Sequence, residues 1–274
     1  MFKTRRFRFM ERFQGSFFFH YCRLPLLTHK VYENRKFLRK RSLASLHPSL
    51  TNRNEVYRYF ENQFRFNSSQ FLWKHNWYFK QDARGFGEPA FHAAWHQIFE
   101  ELRPEKCLEI GVYRGQTITL WTLLSEKLGF NCDIYGITPL TAKGDSVSQY
   151  VDIDFATDIQ LNFDKFKLKH AKIIHQLSTT EKSCEFISNG NWDLIYIDGS
   201  HEYDDVLSDY LNSVSGIAPN GLIVMDDSSL FMDSIENYGA FQGHPGPSKI
   251  CVEYAKIQLD HVLSVGHLNF FRRK

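Results

Sequence analysis

From residue 105 to the C-terminus, short apolar runs alternate with stretches of helical spacing. The runs 106–112, 132–137, 171–176, 192–197 and 222–225 are rich in Ile, Val, Leu, Tyr and Cys. They are too short for core helices and read as buried strands. Between them apolar residues recur at three and four, as in Thr117, Leu120, Trp121, Leu124 and Leu128. This predicts helices over 116–128, 157–167, 181–188, 203–215 and 248–258, with polar loops over 139–155 and 228–246. Residues 219–221 (Pro-Asn-Gly) are expected to stop the fourth of these helices. The last runs, 261–265 and 268–271, read as a closing hairpin. Strands buried on both faces and alternating with helices predict an α/β fold with a mainly parallel sheet.

Upstream the pattern changes. Phe91, Ala94, Trp95, Ile98, Phe99 and Leu102 lie on one face of a helix predicted over 90–102, which follows the break at 85–89 (Gly-Phe-Gly-Glu-Pro) and ends before Pro104. Residues 53–82 carry Val56, Tyr59, Phe60, Phe64, Leu72, Trp73 and Trp77 at helix-like spacing. They predict one or two amphipathic helices that cover the body or form a contact between copies of the chain. Three parts follow: an arm over 1–52, a helical extension over 53–104 and the alternating domain over 105–274.

Charge sharpens this division. Residues 1–53 hold 13 Lys and Arg against 2 Asp and Glu, while the rest holds 20 against 29. Basic and aromatic residues alternate in the arm without a clean period. Its open readings are a flexible segment with solvated charges, a contact with anionic lipid or an acidic partner, and a transit-type leader. The mildly acidic body gives no reason to expect nucleic acid as substrate. The five cysteines are widely spaced and never form C-x-x-C. This points to a reducing, cytoplasmic setting rather than a disulfide framework or zinc site. The longest apolar stretch near the start, 17–22, is too short and interrupted to span a bilayer.

In open α/β sheets ligands bind at the carboxyl ends of the strands. The first strand leads into Glu109, Gly111, Tyr113 and Gly115, where two glycines open a helix. Such a turn lets backbone approach a ligand closely and offers free N–H groups. It lacks the G-x-G-x-x-G of dinucleotide binders. Thr138 ends the second strand and Ser178 follows the third. Asp198 and His201 follow the fourth, and Asp226 and Asp227 follow the fifth. Three carboxylates at the ends of neighbouring strands would be costly without a counter-charge. A divalent cation would offset them, and hard oxygen ligands suit Mg²⁺ or Ca²⁺.

The pattern Glu109-x-Gly111-x-x-x-Gly115 resembles the first motif of class I S-adenosylmethionine (AdoMet) methyltransferases. The segment from Trp192 to Tyr203 contains Ile-Asp-Gly-Ser-His-Glu-Tyr, and the fifth strand ends in Asp226-Asp227. Together they resemble methyltransferase family 24, and are similar to the macrocin O-methyltransferase and cephalosporin-hydroxylase-like proteins. The resemblance spans 105–274. It implies a Rossmann-like sheet of seven strands with the last antiparallel. It also implies a cofactor site over Glu109, Gly111, Tyr113, Gly115, Thr138, Ser178 and Asp198, and a Mg²⁺-type metal on Asp198, Asp226 and Asp227. Family members usually carry an acidic residue where Thr138 stands, bonding the cofactor ribose.

The expected function is metal-assisted O-methylation of a small-molecule or sugar-like hydroxyl, with His201 and Asp198 as proton acceptors. His244, in the glycine- and proline-rich stretch 239–248, is a further site candidate. The alternative is a binding or scaffold protein that keeps the fold without turnover and acts through its basic arm. Thr138 motivates it. The acceptor pocket is expected from the loops 53–100 and 228–246.

Overall fold

The computed structural model describes residues 39–46, 53–148, 150–232 and 241–273. Most of the basic arm and residues 233–240 of the 228–246 loop therefore lie outside the described residues.

Seven strands form one sheet: β1 Lys106–Ile110, β2 Asp133–Thr138, β3 Lys172–His175, β4 Trp192–Ile197, β5 Ile217–Met225, β6 Asp260–Val265 and β7 Leu268–Arg272. Their order is β3-β2-β1-β4-β5-β7-β6. The first five pair in parallel, and β7 lies antiparallel between β5 and β6. This is the predicted Rossmann-like sheet with its closing hairpin.

Among the described residues, eight α-helices of six residues or more accompany this sheet: α1 Arg53–Asn62, α2 Gln70–Phe79, α3 Pro89–Leu102, α4 Gln116–Leu128, α5 Phe155–Phe166, α6 Glu181–Ser188, α7 Tyr203–Gly216 and α8 Pro245–Ile250. Each central strand feeds two cores, because successive side chains point to opposite faces. Cys107, Leu194, Tyr196, Leu222, Val224 and Phe270 face the first core, with α1–α5. Leu108, Ile110, Ile195, Ile197, Ile223 and Met225 face the second, with α6–α8. The helical extension is thus part of the first core. Trp95 of α3 sits edge-on to Trp121, Tyr196 and Phe270 at 5.2, 5.3 and 5.7 Å. Rings buried this way contribute on the order of 1.5–3 kcal/mol each.

Three boundaries differ from the sequence pattern for visible reasons. β1 stops at Ile110, because the N–H groups of Gly111 and Val112 both turn to the Ile137 carbonyl, at 2.9 and 3.2 Å. The helix before Pro-Asn-Gly ends at Gly216, as expected, but β5 begins at once, at Ile217, rather than after that segment. Asn220 takes φ 66°, and the pairing with β4 shifts register between Trp192 and Leu194, so the strand absorbs the turn residues as an irregularity. α8 begins at Pro245, since proline fits the first helical turn, where no backbone donor is needed.

Candidate active site

The turn after β1 touches the turn after β4. Gly111 has φ 101°, and a Cβ there would lie 2.0 Å from the Asp198 carbonyl oxygen. Only glycine allows both the left-handed backbone and this approach. Gly115 also takes a positive φ, 80°, and stands at the N-terminal cap of α4. Glu109 is buried in β1, and its Oε2 has no hydrogen-bond partner among the described residues. Burial pushes its carboxyl up to about 8, against the Thr117 hydroxyl and Ile118 N–H, which favour the charged form.

The carboxylates at the strand ends are gathered as expected. Asp226 accepts from the Tyr196 hydroxyl at 2.5 Å and, through Oδ1, from the Asp227 N–H at 2.8 Å. The Asp198 side chain adjoins that of Asp226. Burial, and then the charges of Asp226, Glu109 and Asp227, hold the Asp198 carboxyl well above the usual carboxylate range. Asp227 sits at φ 49°, a strained conformation for a non-glycine residue.

Three imidazoles face this group. His201 Nε2 lies 2.9 Å from Asp227 Oδ2, and its Nδ1 lies 2.7 Å from Asp145 Oδ2. Asp145 Oδ2 also accepts the His201 backbone N–H at 2.7 Å. Burial alone would lower the His201 pKa, but the bonds to Asp227 and Asp145 raise it overall. Both ring nitrogens are therefore engaged, and His201 can take a proton from an acceptor only if one contact opens. His267 Nε2 lies 3.3 Å from Asp226 Oδ1 and 3.6 Å from Asp227 Oδ1. His244 Nε2 lies 3.8 Å from Asp227 Oδ2. His244 comes this close because Gly243, at φ 111°, leaves room where a Cβ would meet the Asp227 carbonyl at 2.0 Å.

Two cavities meet along this line. One, of about 670 Å³, is bounded by Glu109, Asp198, Asp226, Asp227 and the three histidines. Its cover comes from the extension, through Phe86, Phe91 and Trp95, and from Phe241 of the 228–246 loop. These are the two regions expected to shape an acceptor pocket. The other, of about 300 Å³, is bounded by Thr138, Ser178 and the β4 turn. Gly111, Tyr113, Tyr150, Asp198 and Gly199 line both. Gly115 lines neither. The Thr138 hydroxyl oxygen accepts the Leu140 N–H at 3.2 Å, leaving its proton to donate.

Residues 108–228 match a family model described as a methyltransferase domain. The chain carries a methyltransferase domain of the class I fold. The cofactor that such a domain implies is AdoMet. No curated protein sequence matches the chain significantly. Among solved structures, this methyltransferase is similar to a Staphylococcus aureus protein described as a caffeoyl-CoA O-methyltransferase. That match has TM-score 0.55 and 12% identity, and covers 80% of this chain and 98% of that one. It is also similar to the Podospora anserina methyltransferase PaMTH1 with S-adenosylhomocysteine bound, at TM-score 0.54 and 17% identity, covering 81% and 94%. An O-methyltransferase from Bacillus cereus, also with S-adenosylhomocysteine, matches at TM-score 0.53 and 11% identity, covering 82% and 100%. At these identities the likeness is one of fold.

Sequence reasoning about the methyltransferase missed His267 and Asp145. His267 forms the hairpin turn with Gly266. An antiparallel β7 pairs Asn269 with Met225, which puts that turn beside the end of β5. The hairpin, once predicted, was the available signal. Asp145 stands in the polar 139–155 loop, where no spacing marks it. No helix among the described residues is long and apolar enough to cross a membrane.

Proposed function

We propose that this methyltransferase moves a methyl group from AdoMet to a hydroxyl of a small-molecule or sugar-like acceptor, assisted by a divalent cation. The observation that carries this reading is the meeting of the two cavities at Gly111 and Asp198, with Asp226 and Asp227 on the floor of the larger one. A cofactor along the β1 and β4 turns would leave that larger space for an acceptor. The O-methyltransferases of the same fold support the choice of oxygen.

The residues fit AdoMet. Glu109 brings an unpartnered buried oxygen to the cavity wall, suited to an ammonium. Gly111 keeps the backbone bare where the sulfonium end would pass, Tyr113 lines the same path, and Thr138 and Ser178 offer hydroxyls to the ribose and adenine end. Gly115 acts from behind by starting α4. Bound there, AdoMet supplies an activated methyl group.

The donor set of Asp198, Asp226 and Asp227 fits a hard divalent cation, which would lower the pKa of an acceptor hydroxyl. Tyr196 holds Asp226 from below, and His201 holds Asp227 from the side. Asp198 lies where it can take the acceptor proton; His201 orients Asp227 and is a second acceptor for that proton once one of its two contacts opens. Phe86, Phe91, Trp95 and Phe241 give the larger cavity an aromatic wall against which an acceptor can pack. Alignment of acceptor, methyl and sulfur is then the main catalytic contribution.

Incubation with methyl-labelled AdoMet and a panel of phenols and sugars tests the reading. Label transfer to an oxygen, lost in Asp226→Asn and Asp227→Asn, is expected. Transfer to nitrogen or carbon, or undiminished transfer in both variants, would overturn it.

A further inference from the structure

The carboxylates at the end of β5 are not faced by oxygen alone. Asp227 meets imidazoles on both of its oxygens. Nε2 of His201 and of His244 lie on the Oδ2 side, at 2.9 and 3.8 Å, and Nε2 of His267 lies 3.6 Å from Oδ1. The ligand atoms of His201, His244 and Asp227 all fall within 4.8 Å of one another, and so do those of Asp226, Asp227 and His267. The three rings come from three separate elements: the turn after β4, the cap of α8 and the β6–β7 turn. Chain proximity does not explain their convergence.

Each ring is held in place by its surroundings. His201 presents Nε2 inward because Asp145 takes Nδ1, the carboxylate–histidine arrangement that orients metal-ligating imidazoles. His267 is fixed by its turn. Its carbonyl accepts the Ser228 N–H at 3.1 Å, Arg53 of α1 donates to the Gly266 carbonyl, and the Phe91 ring stands edge-on at 4.8 Å. His244 donates its backbone N–H to the Asp227 carbonyl at 2.8 Å, and its ring lies 4.3 Å from that of His201. All three line the larger cavity, so an ion among them would keep a face open to a small molecule.

We infer that the cation position at Asp227 is a mixed nitrogen–oxygen site, completed by His201, His244 and His267, that takes a first-row transition metal such as Fe²⁺, Co²⁺, Ni²⁺ or Zn²⁺ in preference to Mg²⁺. Imidazole suits these ions, whereas Mg²⁺ prefers oxygen and holds its waters. The inference rests on the proposed reading for the cation's use, but the site itself stands on the two groups of three side chains that share Asp227. It replaces the Mg²⁺ that the strand-end carboxylates alone suggest.

The test uses the full chain, freed of metal with a chelator and titrated with Co²⁺. Visible absorption, and the shifted imidazole N–H signals in the proton NMR spectrum, report nitrogen ligands directly. The expected result is saturable Co²⁺ binding with shifted N–H signals, undisturbed by a hundredfold excess of Mg²⁺. His244→Ala or His267→Ala should weaken Co²⁺ at least tenfold, with unchanged circular dichroism. Displacement of Co²⁺ by equimolar Mg²⁺, or Co²⁺ affinity within twofold of wild type in both variants, would overturn the inference. AdoMet titration of the same samples separates the two claims. AdoMet binding together with Mg²⁺ preference sinks the mixed site alone, while Co²⁺ binding without AdoMet binding counts against the methyltransferase reading alone.

Discussion

The Tyr196 hydroxyl lies 2.5 Å from Oδ2 of Asp226. Tyr196 is a β4 residue whose ring is buried with Trp95 and Trp121, so a core aromatic holds a site carboxylate in place. Burial, then the charges of Asp198 and Asp226, push its phenol well above the ordinary value, which keeps it a donor. Hydrogen bonds to charged groups are worth about 1.5–3 kcal/mol. Tyr196→Phe should therefore weaken cation binding by roughly tenfold or more, with AdoMet affinity changed less than twofold. Calorimetric titration with each ligand checks this, and equal losses for both would point to a general packing defect instead.

Gly111 should tolerate no side chain. A Cβ would sit 2.0 Å from the Asp198 carbonyl, and the φ of 101° is strained for any other residue. Gly111→Ala is expected to cost about 2–4 kcal/mol of stability. It should also abolish AdoMet binding, because relief requires the β1 and β4 turns to part. Urea denaturation and AdoMet titration of the variant measure the two effects. Unchanged AdoMet affinity would show that the two turns do not form the cradle.

Glu109 trades stability for its site. Its folded pKa, about 8, lies above the unfolded value of roughly 4.3. Its favourable share is thus complete below pH ~4.3 and is lost as pH rises through 8. Glu109→Gln should make the ligand-free protein more stable at pH 9 than wild type, with the difference shrinking toward pH 4. The same variant should bind AdoMet more weakly, since the oxygen facing the cavity loses its charge. Denaturation across pH, with AdoMet titration at pH 8, checks both signs.

The contact of His201 with Asp145 carries its own pH window. His201 is raised, so its contribution is complete below about pH 6.5 and falls as pH climbs through the folded value. For Asp145, burial opposes ionisation, but the His201 and Val147 N–H groups and the His201 ring outweigh it and hold the carboxyl well below its ordinary range. Its contribution is present above about pH 3.9 and is lost as pH falls through the folded value. A double-mutant cycle of Asp145→Asn and His201→Gln, in chelator, should give its largest coupling between about pH 4 and 6.5. Coupling that grows toward pH 9 would contradict this.

Much of the fold could be read because both faces of the sheet are buried. The runs at 106–112 and 192–197 are apolar enough to be strands whatever surrounds them, and β4 occupies its predicted residues. The strand-end rule then collected Asp198, Asp226, Asp227, Gly111 and Thr138 at one edge. What escaped depends on long-range geometry. Asp145 acts through a contact 56 residues away, from a loop with no periodicity. His267 matters because β7 inserts antiparallel and Asn269 ties the hairpin to Ser228 and Ser229, at 2.7 and 2.8 Å. The early start of β5 escaped because an irregularity in its pairing with β4 absorbs Pro-Asn-Gly within the strand. The shared core of α1–α3 with the sheet face was not visible either, since helical spacing shows that a face is apolar but not what it meets.

Calorimetric titration of the full chain with AdoMet, with and without divalent cation, tests the central claim most directly. The expected result is saturable one-to-one binding that is lost in Gly111→Ala. Absence of binding under both conditions, from a protein with native circular dichroism, would contradict the reading of these strand ends as a methyltransferase site.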